Sequence, residues 1–355
     1  MHRPETPQAL AEVLRALADA RQLIHLGGNF SKLQLWRGLE PAASASAGET
    51  VSTSSMNRLI SYDPRDLTIS VEAGMPFAEL QRTLAEHRQM LPLDPPWLAQ
   101  STVGGVVAAN LSGPLRRQYG TARDMIIGMT FATLEGKLVA SGGMVVKNVA
   151  GLDMAKLMIG SFGTLAAIAV VNFKVFPMPP AWRTLVWKFA SLPQAFALRD
   201  RILQSPLQPA AIDIDNLTSE IRLAVRVGGS PTVLDRWARE HPDASIVEMQ
   251  NEPNFWADRR EFPARFLEQN QNGSIAPLHC KLADMPAAAA NLTVPFIARA
   301  GSGVIYTFLQ NEPNSVRAEG DETQSKIQAM EMMTKIKRMF DPEHLLNRGR
   351  LHGRL

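Results

Sequence analysis

The sequence is poor in cysteine, in aromatic residues and in long apolar runs. Cys280 is its only cysteine, so the chain can close no internal disulfide and cannot supply the four thiolates that an iron–sulfur cluster usually needs. Aromatic residues make up 6% of the chain and no basic stripe alternates with them, which argues against nucleic-acid binding. No apolar run approaches the roughly 18 residues of a membrane span. We therefore expect a cytoplasmic protein that reaches the inner face of a membrane only through its partners.

Several motifs of catalysis and cofactor binding are also missing. The sequence has no GxxxxGK[ST] phosphate loop and no GxGxxG that opens a helix, which argues against the two commonest nucleotide-binding folds. It has no GxSxG elbow, which removes one route to hydrolase chemistry. Its seven histidines show none of the HxH, HxxxH or HExxH spacings, so we expect no metal site.

Length and proline placement predict two domains. A chain of 355 residues is about twice the usual domain length, and a proline cluster at residues 177–180 marks its clearest boundary. We therefore predict one domain over residues 1–179 and a second over residues 180–355. The segment LPLDPP at residues 91–96 is too rich in proline for a helix or a central strand, so we expect an exposed loop there.

The charge of the chain is nearly balanced, with a net value of +3, but the C-terminal segment is basic. A solvated surface and docking to an anionic cofactor or an acidic partner are both open interpretations of this segment. Its basic residues are Lys335, Lys337, Arg338, Arg348, Arg350 and Arg354, against the acidic Asp341 and Glu343.

Glycine recurs throughout residues 101–177. An interior glycine costs a helix about 1 kcal/mol relative to alanine, whereas glycine suits a chain that turns repeatedly and brings bare backbone close to a ligand. Backbone N–H groups freed of side-chain bulk can converge on one diphosphate. We therefore interpret this stretch as the wall of a nucleotide-cofactor pocket.

Three glycine loops have the chemistry that such a pocket needs. They are GGNFSK at residues 27–32, STVGG at residues 101–105 and GSFGT at residues 160–164. All three add hydroxyl groups, and the first also adds the charge of Lys32. Each loop taken singly is more often an ordinary turn, but three loops bounded by helix or strand signals favour one shared pocket.

Two polar segments have competing interpretations. The segment YGTARD at residues 119–124 could contact a ligand, or it could hold only a surface ion pair of little energy. Asp153 follows the segment KNVAG at residues 147–151, and it suits a ribose contact about as well as it suits a helix cap.

Six segments of the chain together resemble a known family. They are ISYDPRDLTISVEAGMPFAEL, QMLPLDPP, STVGGVVAANLSGP, RRQYGTARDMIIG, GGMVVKNVAGLDMAKLMIGSFGTLAAI and FDPEHLLNRGRL. With them the chain resembles the vanillyl-alcohol-oxidase/PCMH flavoproteins, and within these the FAD-binding subunits of bacterial glycolate oxidases. The resemblance is nearly continuous from about Leu23 to Pro179 and weak from there to about Phe340. One departure is Asn-Arg-Gly-Arg at residues 347–350, where the family usually has Asn-Pro-Gly-Arg.

The resemblance implies an α+β fold. A two-lobed PCMH-type FAD-binding domain would be followed by a smaller α+β cap domain, and the C-terminal helix and tail would return to the flavin domain.

The resemblance also implies how the cofactor is bound. Some relatives tether the flavin through a histidine in the first loop. Asn29 and Phe30 stand there in this chain, so we expect non-covalent FAD. The implied cofactor-binding residues are Gly27, Gly28, Asn29, Ser31 and Lys32 in the first pyrophosphate loop, Ser101, Thr102, Gly104 and Gly105 in the second, Gly113, Tyr119, Gly120, Arg123 and Asp124 near the flavin or its ribityl chain, and Gly151, Asp153, Gly160, Gly163 and Ile168 along the remainder, including the adenine end.

The function implied is that of the FAD-binding subunit of a multi-subunit oxidase of glycolate or a similar 2-hydroxy acid. Its partners would be a sister FAD-containing catalytic subunit and an iron–sulfur subunit. No catalytic residue is evident; Arg299 is a weak candidate for the substrate carboxylate, and a surface or interface arginine is the favoured interpretation. A self-sufficient 2-hydroxy-acid dehydrogenase and a non-redox scaffold that has lost its cofactor remain alternatives.

Overall fold

The computed structural model describes residues 1–33, 48–144, 153–310 and 324–350. The chain forms two layered α+β halves, as expected. The elements of the first half are α1 (Pro7–Asp19), β1 (Ile24–Gly27), β2 (Glu49–Ser52), β3 (Leu59–Asp63), β4 (Thr68–Glu72), α2 (Phe77–Glu86), β5 (Gln89–Met90), α3 (Val103–Ala109), α4 (Arg116–Tyr119), α5 (Ala122–Met125), β6 (Ile126–Ala132), β7 (Leu138–Gly142), α6 (Ala155–Met158), β8 (Ala167–Lys174) and β9 (Phe176–Pro177).

The first half is built on a five-stranded antiparallel sheet with the strand order β3-β4-β8-β6-β7. Helix α2 buries Phe77, Leu80 and Leu84 against this sheet, because residues three, four and seven apart share one helix face. Helix α1 covers a second core cluster with Leu10 and Leu14. Its start follows the local signal in the sequence, since the Thr6 hydroxyl accepts the Ala9 N–H at 3.1 Å.

The second half is built on a seven-stranded antiparallel sheet with the order β13-β10-β12-β11-β15-β16-β14. The division predicted at residue 179 falls between β9 and β10, and it stays a prediction as a domain boundary. The remaining elements are β10 (Ala181–Phe189), α7 (Leu192–Gln204), β11 (Ala211–Asp215), β12 (Ile221–Gly229), α8 (Pro231–Glu240), β13 (Ser245–Val247), α9 (Glu252–Gln269), β14 (Ser274–His279), α10 (Met285–Ala290), β15 (Phe296–Arg299), β16 (Val304–Leu309) and α11 (Gln324–Phe340).

Helices cover both faces of this second sheet. Leu223 and Val225 of β12 share a core cluster with Trp237 of α8, whereas Ala224 between them packs with Trp256 of α9. Successive side chains of a strand point to opposite faces. Helix α9 therefore covers the face opposite to α8.

The LPLDPP segment at residues 91–96 is not the exposed loop that we expected. Leu91 and Leu93 are fully buried in the core of the first half. Just beyond, the indole of Trp97 packs with Phe266 of α9 and Phe308 of β16 in the second half. The segment avoids regular secondary structure, as its prolines dictate, but it is buried in the first half and leads into a residue that packs against the second half.

The predicted turn at residues 101–105 is partly helical, because α3 begins at Val103 and contains Gly104 and Gly105. Thr102 caps the helix through a bond from the Gly105 N–H to its hydroxyl at 3.2 Å. A Cβ on Gly104 would lie 2.8 Å from the Cβ of Ala73. Glycine at this position therefore permits α3 to pack closely against Ala73, and this contact offsets the poor helix propensity of glycine.

The C-terminal helix and tail return to the first half, as predicted. Ile336 and Phe340 of α11 pack against its core, and Leu346 lies beside Ile24 of β1 in a parallel bridge. The ammonium group of Lys337 is fully buried and donates to Asp341 Oδ2 at 2.5 Å, to Leu346 O at 3.0 Å and to Thr164 O at 2.7 Å. Burial lowers the pKa of Lys337, and the carboxylate of Asp341 opposes that shift.

Replacing Lys337 by methionine is expected to lower the free energy of unfolding by about 3–5 kcal/mol, because it leaves the buried Asp341 carboxylate without its cation. Urea-induced unfolding measures the loss. Lys335→Met is the matched control, since Lys335 is exposed on the same helix and its loss should cost less than about 0.5 kcal/mol. Equal losses in the two variants would contradict a stabilising role for the buried pair.

Candidate functional site

The three glycine loops converge on one cavity in the first half of the chain. The cavity encloses about 710 Å³, a part of which is open to solvent. The described residues that line it are Leu26, Gly27, Gly28, Asn29, Phe30, Ser31, Lys32, Leu33, Thr53, Thr102, Gly104, Gly105, Ala108, Ala109, Phe162, Gly163, Ala166, Ile168 and Arg350.

The first two loops touch because Gly28 has no side chain. A Cβ at Gly28 would overlap the Thr102 hydroxyl, so only glycine allows this approach without a shift. Strand β2 holds the first loop from its other side: the Thr53 N–H donates to Gly27 O and the Ser52 hydroxyl donates to Gly28 O, both at 2.9 Å. The floor of the cavity is therefore fixed by contacts of the backbone.

The first and third loops are joined by the side-chain amide of Asn347 in the C-terminal tail. Its oxygen accepts the Leu26 N–H at 2.8 Å. Its nitrogen lies within hydrogen-bonding distance of three carbonyl oxygens: Phe162 O at 2.8 Å, Leu26 O at 3.0 Å and Gly163 O at 3.2 Å. This buried amide thus ties Leu26, directly before the first loop, to the backbone of the third loop.

Two cations and no anions are found among the described residues that line the cavity. Lys32 Nζ donates to the Ser101 hydroxyl at 2.6 Å and to the Ser31 hydroxyl at 3.3 Å. Burial lowers the pKa of Lys32 to about 8, and the negative charge of Glu261 opposes this shift. Arg350 reaches the cavity from the tail, where its guanidinium donates to Phe162 O at 3.1 Å. The cavity is therefore suited to an anionic ligand.

Three of the glycine N–H groups that we expected to face a diphosphate are used inside the protein. The Gly104 N–H donates to Ala73 O at 2.7 Å, the Gly105 N–H to the Thr102 hydroxyl at 3.2 Å and the Gly163 N–H to the Ser161 hydroxyl at 3.4 Å. At these positions, glycine contributes to the cavity by its lack of a side chain. A Cβ at Gly105 would point toward Lys32 Nζ, 3.8 Å away, so this face of α3 stays open to a ligand.

The structure brings about half of the predicted cofactor residues to this cavity. Ser101 lies just behind the lining, where it accepts the bond from Lys32. Ligand contacts of the whole predicted set stay predictions, and Gly151 lies outside the described residues. The lining includes Gly27, Gly28, Asn29, Ser31, Lys32, Thr102, Gly104, Gly105, Gly163 and Ile168.

The other described residues of the predicted set are not among those that line this cavity. Arg123 and Asp153 are exposed, and Tyr119 packs edge-on against Phe176 with ring centroids 5.2 Å apart. Three more lie against local partners: Gly113 against Asp94, Gly120 against Asp124 (which caps the turn at Thr121), and Gly160 against Asn110.

Arg299 is not a surface arginine, because its side chain is 7% exposed within the sheet of the second half. Its guanidinium donates to the buried carboxylate of Asp213, and it lies 5.9 Å from the ring centroid of Tyr306. Burial raises the pKa of Asp213, and the positive charge of Arg299 opposes this shift. The charge of Arg299 is thus already neutralised by a residue of the protein.

Some lining residues were missing from the predicted set. Arg350 belongs to the basic C-terminal segment, for which docking to an anionic cofactor was an open interpretation. Lys337 of the same segment is instead buried in an ion pair.

Two phenylalanines of the lining were also missing from the predicted set. Phe30 and Phe162 both have positive φ angles, of 54° and 53°, a conformation unfavourable for a bulky residue. No sequence signal marks such strain, although it is common at ligand-binding sites.

No group of three or more His, Cys, Asp and Glu side chains suited to a metal ion occurs among the residues that the structure describes. In the same part of the chain, no helix combines the length and apolar character of a membrane-crossing segment.

Comparison with known proteins identifies the cavity-bearing half. Residues 1–142 match the family described as FAD binding domain, and residues 321–351 match the C-terminal domain of FAD linked oxidases. Glycolate oxidase subunit GlcE of Escherichia coli (strain K12) is 36% identical over 207 residues, which are 58% of this chain and 56% of that protein. D-lactate dehydrogenase of Anaerostipes hadrus is 30% identical over 172 residues, which are 48% of this chain and 36% of that one. The chain thus spans little more than half of the first relative and about a third of the second.

Solved structures extend the likeness of fold to almost the whole chain. Alkyldihydroxyacetonephosphate synthase, in two crystal forms, matches with TM-scores of 0.72 and 0.74 and identities of 17% and 18%. Each match covers 97% of this chain, and 75% and 76% of the matched chains. At this identity the likeness shows the fold alone.

The fold and the two domain matches define an FAD-binding flavoprotein. Residues 1–142 and 321–351 are thus similar to FAD-linked oxidases, as the motifs of the chain indicated, and the cofactor that these matches indicate is FAD. The residues present fit that cofactor. Two cations suit its diphosphate, and the glycines and alanines of α3, which have no side chain or only a methyl group, leave room for it.

Replacing Asn347 by aspartate is expected to lower the free energy of unfolding by about 2 kcal/mol or more, because a carboxylate cannot donate to the three carbonyl groups around it. Urea-induced unfolding measures the change. Asn57→Asp, at an exposed position, is the matched control and should change stability by less than about 0.5 kcal/mol. An equally small effect at Asn347 would show that its amide does not hold the loops together.

Proposed function

We propose that this chain is the FAD-binding subunit of a multi-subunit oxidase of glycolate or a similar 2-hydroxy acid. It holds FAD non-covalently, and it supports electron transfer to an iron–sulfur subunit while a sister flavin subunit oxidises the substrate. The observation that carries the proposal is the convergence of three glycine loops and two cations on one cavity. The identity to glycolate oxidase subunit GlcE supports the assignment of substrate class.

The chemistry of the lining supports non-covalent binding. The lining residues that the structure describes include no histidine, cysteine or tyrosine that could attack the flavin ring. Lys32 and Arg350 would bind the diphosphate as charged donors, and Phe30 and Phe162 would pack against an aromatic ring of the cofactor.

Bound FAD would supply two-electron redox chemistry, since oxidation of a 2-hydroxy acid to a 2-oxo acid releases two electrons and two protons. The residues of this chain would bind and orient the cofactor and keep water away from the buried floor of the cavity. None of the described residues at the cavity is a convincing base for the substrate, because its titratable lining groups are the cations Lys32 and Arg350.

The division of labour among subunits rests on two features of this chain. Arg299, the candidate for the substrate carboxylate, already neutralises Asp213. Cys280 is the only cysteine, so the thiolates of an iron–sulfur cluster must come from another chain. Both features favour a subunit that works with partners. The cytoplasmic location stays a prediction.

A self-sufficient 2-hydroxy-acid dehydrogenase is the second candidate. The identity to D-lactate dehydrogenase of Anaerostipes hadrus favours it, since that name describes an enzyme of this substrate class. The two candidates differ in whether the isolated chain reduces its own flavin with substrate.

Replacing Lys32 by methionine is expected to weaken FAD binding about 10- to 100-fold at neutral pH, because a charge-assisted hydrogen bond contributes about 1.5–3 kcal/mol. Titration of the apoprotein, followed by quenching of flavin fluorescence, measures the dissociation constant. Lys281→Met removes an exposed lysine and should leave it unchanged. If the unmodified chain neither binds FAD nor gains thermal stability from it, the scaffold alternative stands instead.

Adding glycolate without oxygen to the isolated FAD-loaded chain is expected to leave the visible flavin absorbance unchanged, because Arg299 is not free to bind the carboxylate. The same addition to a complex with the sister subunit should bleach the flavin. Dithionite serves as the control that the flavin of the isolated chain can be reduced. Prompt bleaching of the isolated chain by glycolate would establish the self-sufficient dehydrogenase.

A further inference from the structure

A short turn of the first half is anchored in the second half of the chain. We name residues 97–101 the junction turn. At its start, the indole of Trp97 is 3% exposed and lies among Leu267, Phe308 and other residues of the second half. The backbone of Trp97 has a positive φ of 56°, which is unfavourable for a bulky residue and persists only where the surroundings fix it.

Glu261 of helix α9 binds the backbone of the same turn. Its Oε2 accepts the Trp97 N–H at 2.8 Å and its Oε1 accepts the Leu98 N–H at 3.2 Å. Arg260 donates to the same carboxylate at 3.1 Å. The carboxylate therefore uses both oxygens to hold the junction turn in its strained conformation.

At its other end, the junction turn holds the cation of the cavity. The Ser101 hydroxyl donates to Trp97 O at 2.7 Å and accepts from Lys32 Nζ at 2.6 Å. The side chain of Asn29 donates to Gln100 O at 3.1 Å. A continuous set of hydrogen bonds thus runs from Glu261 in the second half to Lys32 in the first.

We propose that Glu261 is a positioning residue of the cofactor site. Through Glu261, the second half of the chain fixes the junction turn, and the junction turn orients Lys32 toward the diphosphate of FAD. This inference rests on the proposed binding of FAD in the cavity. Glu261 itself does not line the cavity. Because linkage is reciprocal, cofactor binding should in turn strengthen the contact between the junction turn and α9.

The charge of Glu261 gives this role a distinctive pH signature. Burial holds the pKa of Lys32 near 8, and Glu261 raises it toward its usual value. Two other charged groups face the hydrogen bonds that run from Glu261 to Lys32. They are Arg260, which is paired with Glu261, and Arg350 from the tail. An anionic ligand prefers the protonated lysine, so affinity should be constant below the Lys32 pKa and fall above it. Loss of Glu261 lowers that pKa, so the fall should begin at lower pH.

The test compares FAD dissociation constants of the unmodified chain, Glu261→Gln and Glu268→Gln over a pH series that brackets the Lys32 pKa of about 8. We expect Glu261→Gln to weaken binding roughly tenfold and to shift the decline of affinity to lower pH. Glu268 is exposed on the same helix, so Glu268→Gln should match the unmodified chain. An unchanged affinity and pH profile in Glu261→Gln would overturn the inference.

Two further measurements separate positioning from general damage to the fold. In a Lys32→Met background, Glu261→Gln should have little additional effect on affinity; an undiminished tenfold loss there would overturn the inference. In the unmodified chain, saturating FAD should slow hydrogen exchange at the Trp97 and Leu98 amides, and an unchanged exchange rate would overturn it as well. If the unmodified chain binds no FAD at all, the proposed function fails, which is a distinct result.

Discussion

The cofactor cavity depends on one buried side-chain amide, that of Asn347. Loops at residues 27–32 and 160–164 lie far apart in sequence, and the amide bonds to the backbone of Leu26, directly before the first loop, and of Phe162 and Gly163 in the other. An amide buried in this way must satisfy its donors and its acceptor together, which fixes the separation of the loops closely. The ion pair of Lys337 and Asp341 holds the tail that carries it, and Asp341 also accepts the N–H groups of Leu345 and Leu346. The end of the chain is therefore a part of the cavity.

Local signals in the sequence predicted the three loops of the site. The start of α1 also follows a local signal, since Thr6 before Pro7 caps the helix. Features that depend on distant residues escaped such reasoning. The burial of Trp97 depends on α9, whose Glu261 lies 164 residues from Trp97. Gly104 enters a helix because Ala73 leaves no room for a side chain, a contact that glycine content alone cannot predict.

The two halves of the chain differ in whether their buried or cavity-lining cations have a carboxylate beside them. In the second half, buried arginines are paired: Arg299 with Asp213, and Arg259 with Asp215. Such pairs leave little net charge for a ligand. The cavity of the first half keeps the positive charges of Lys32 and Arg350 without a lining carboxylate among the described residues. A low-dielectric wall strengthens their attraction for a diphosphate. The proposed FAD site thus lies in the first half, and the junction turn is the proposed link by which the second half supports it.

The position of Asn347 in the chain has a consequence for biosynthesis. Residues 337–347 leave the ribosome only after the whole second half has been translated, so the loops of the nascent first half lack the amide that joins them. A chain that lacked Asn347 would have no amide to join these loops. Formation of the cavity therefore has to wait until the tail has docked on the first half.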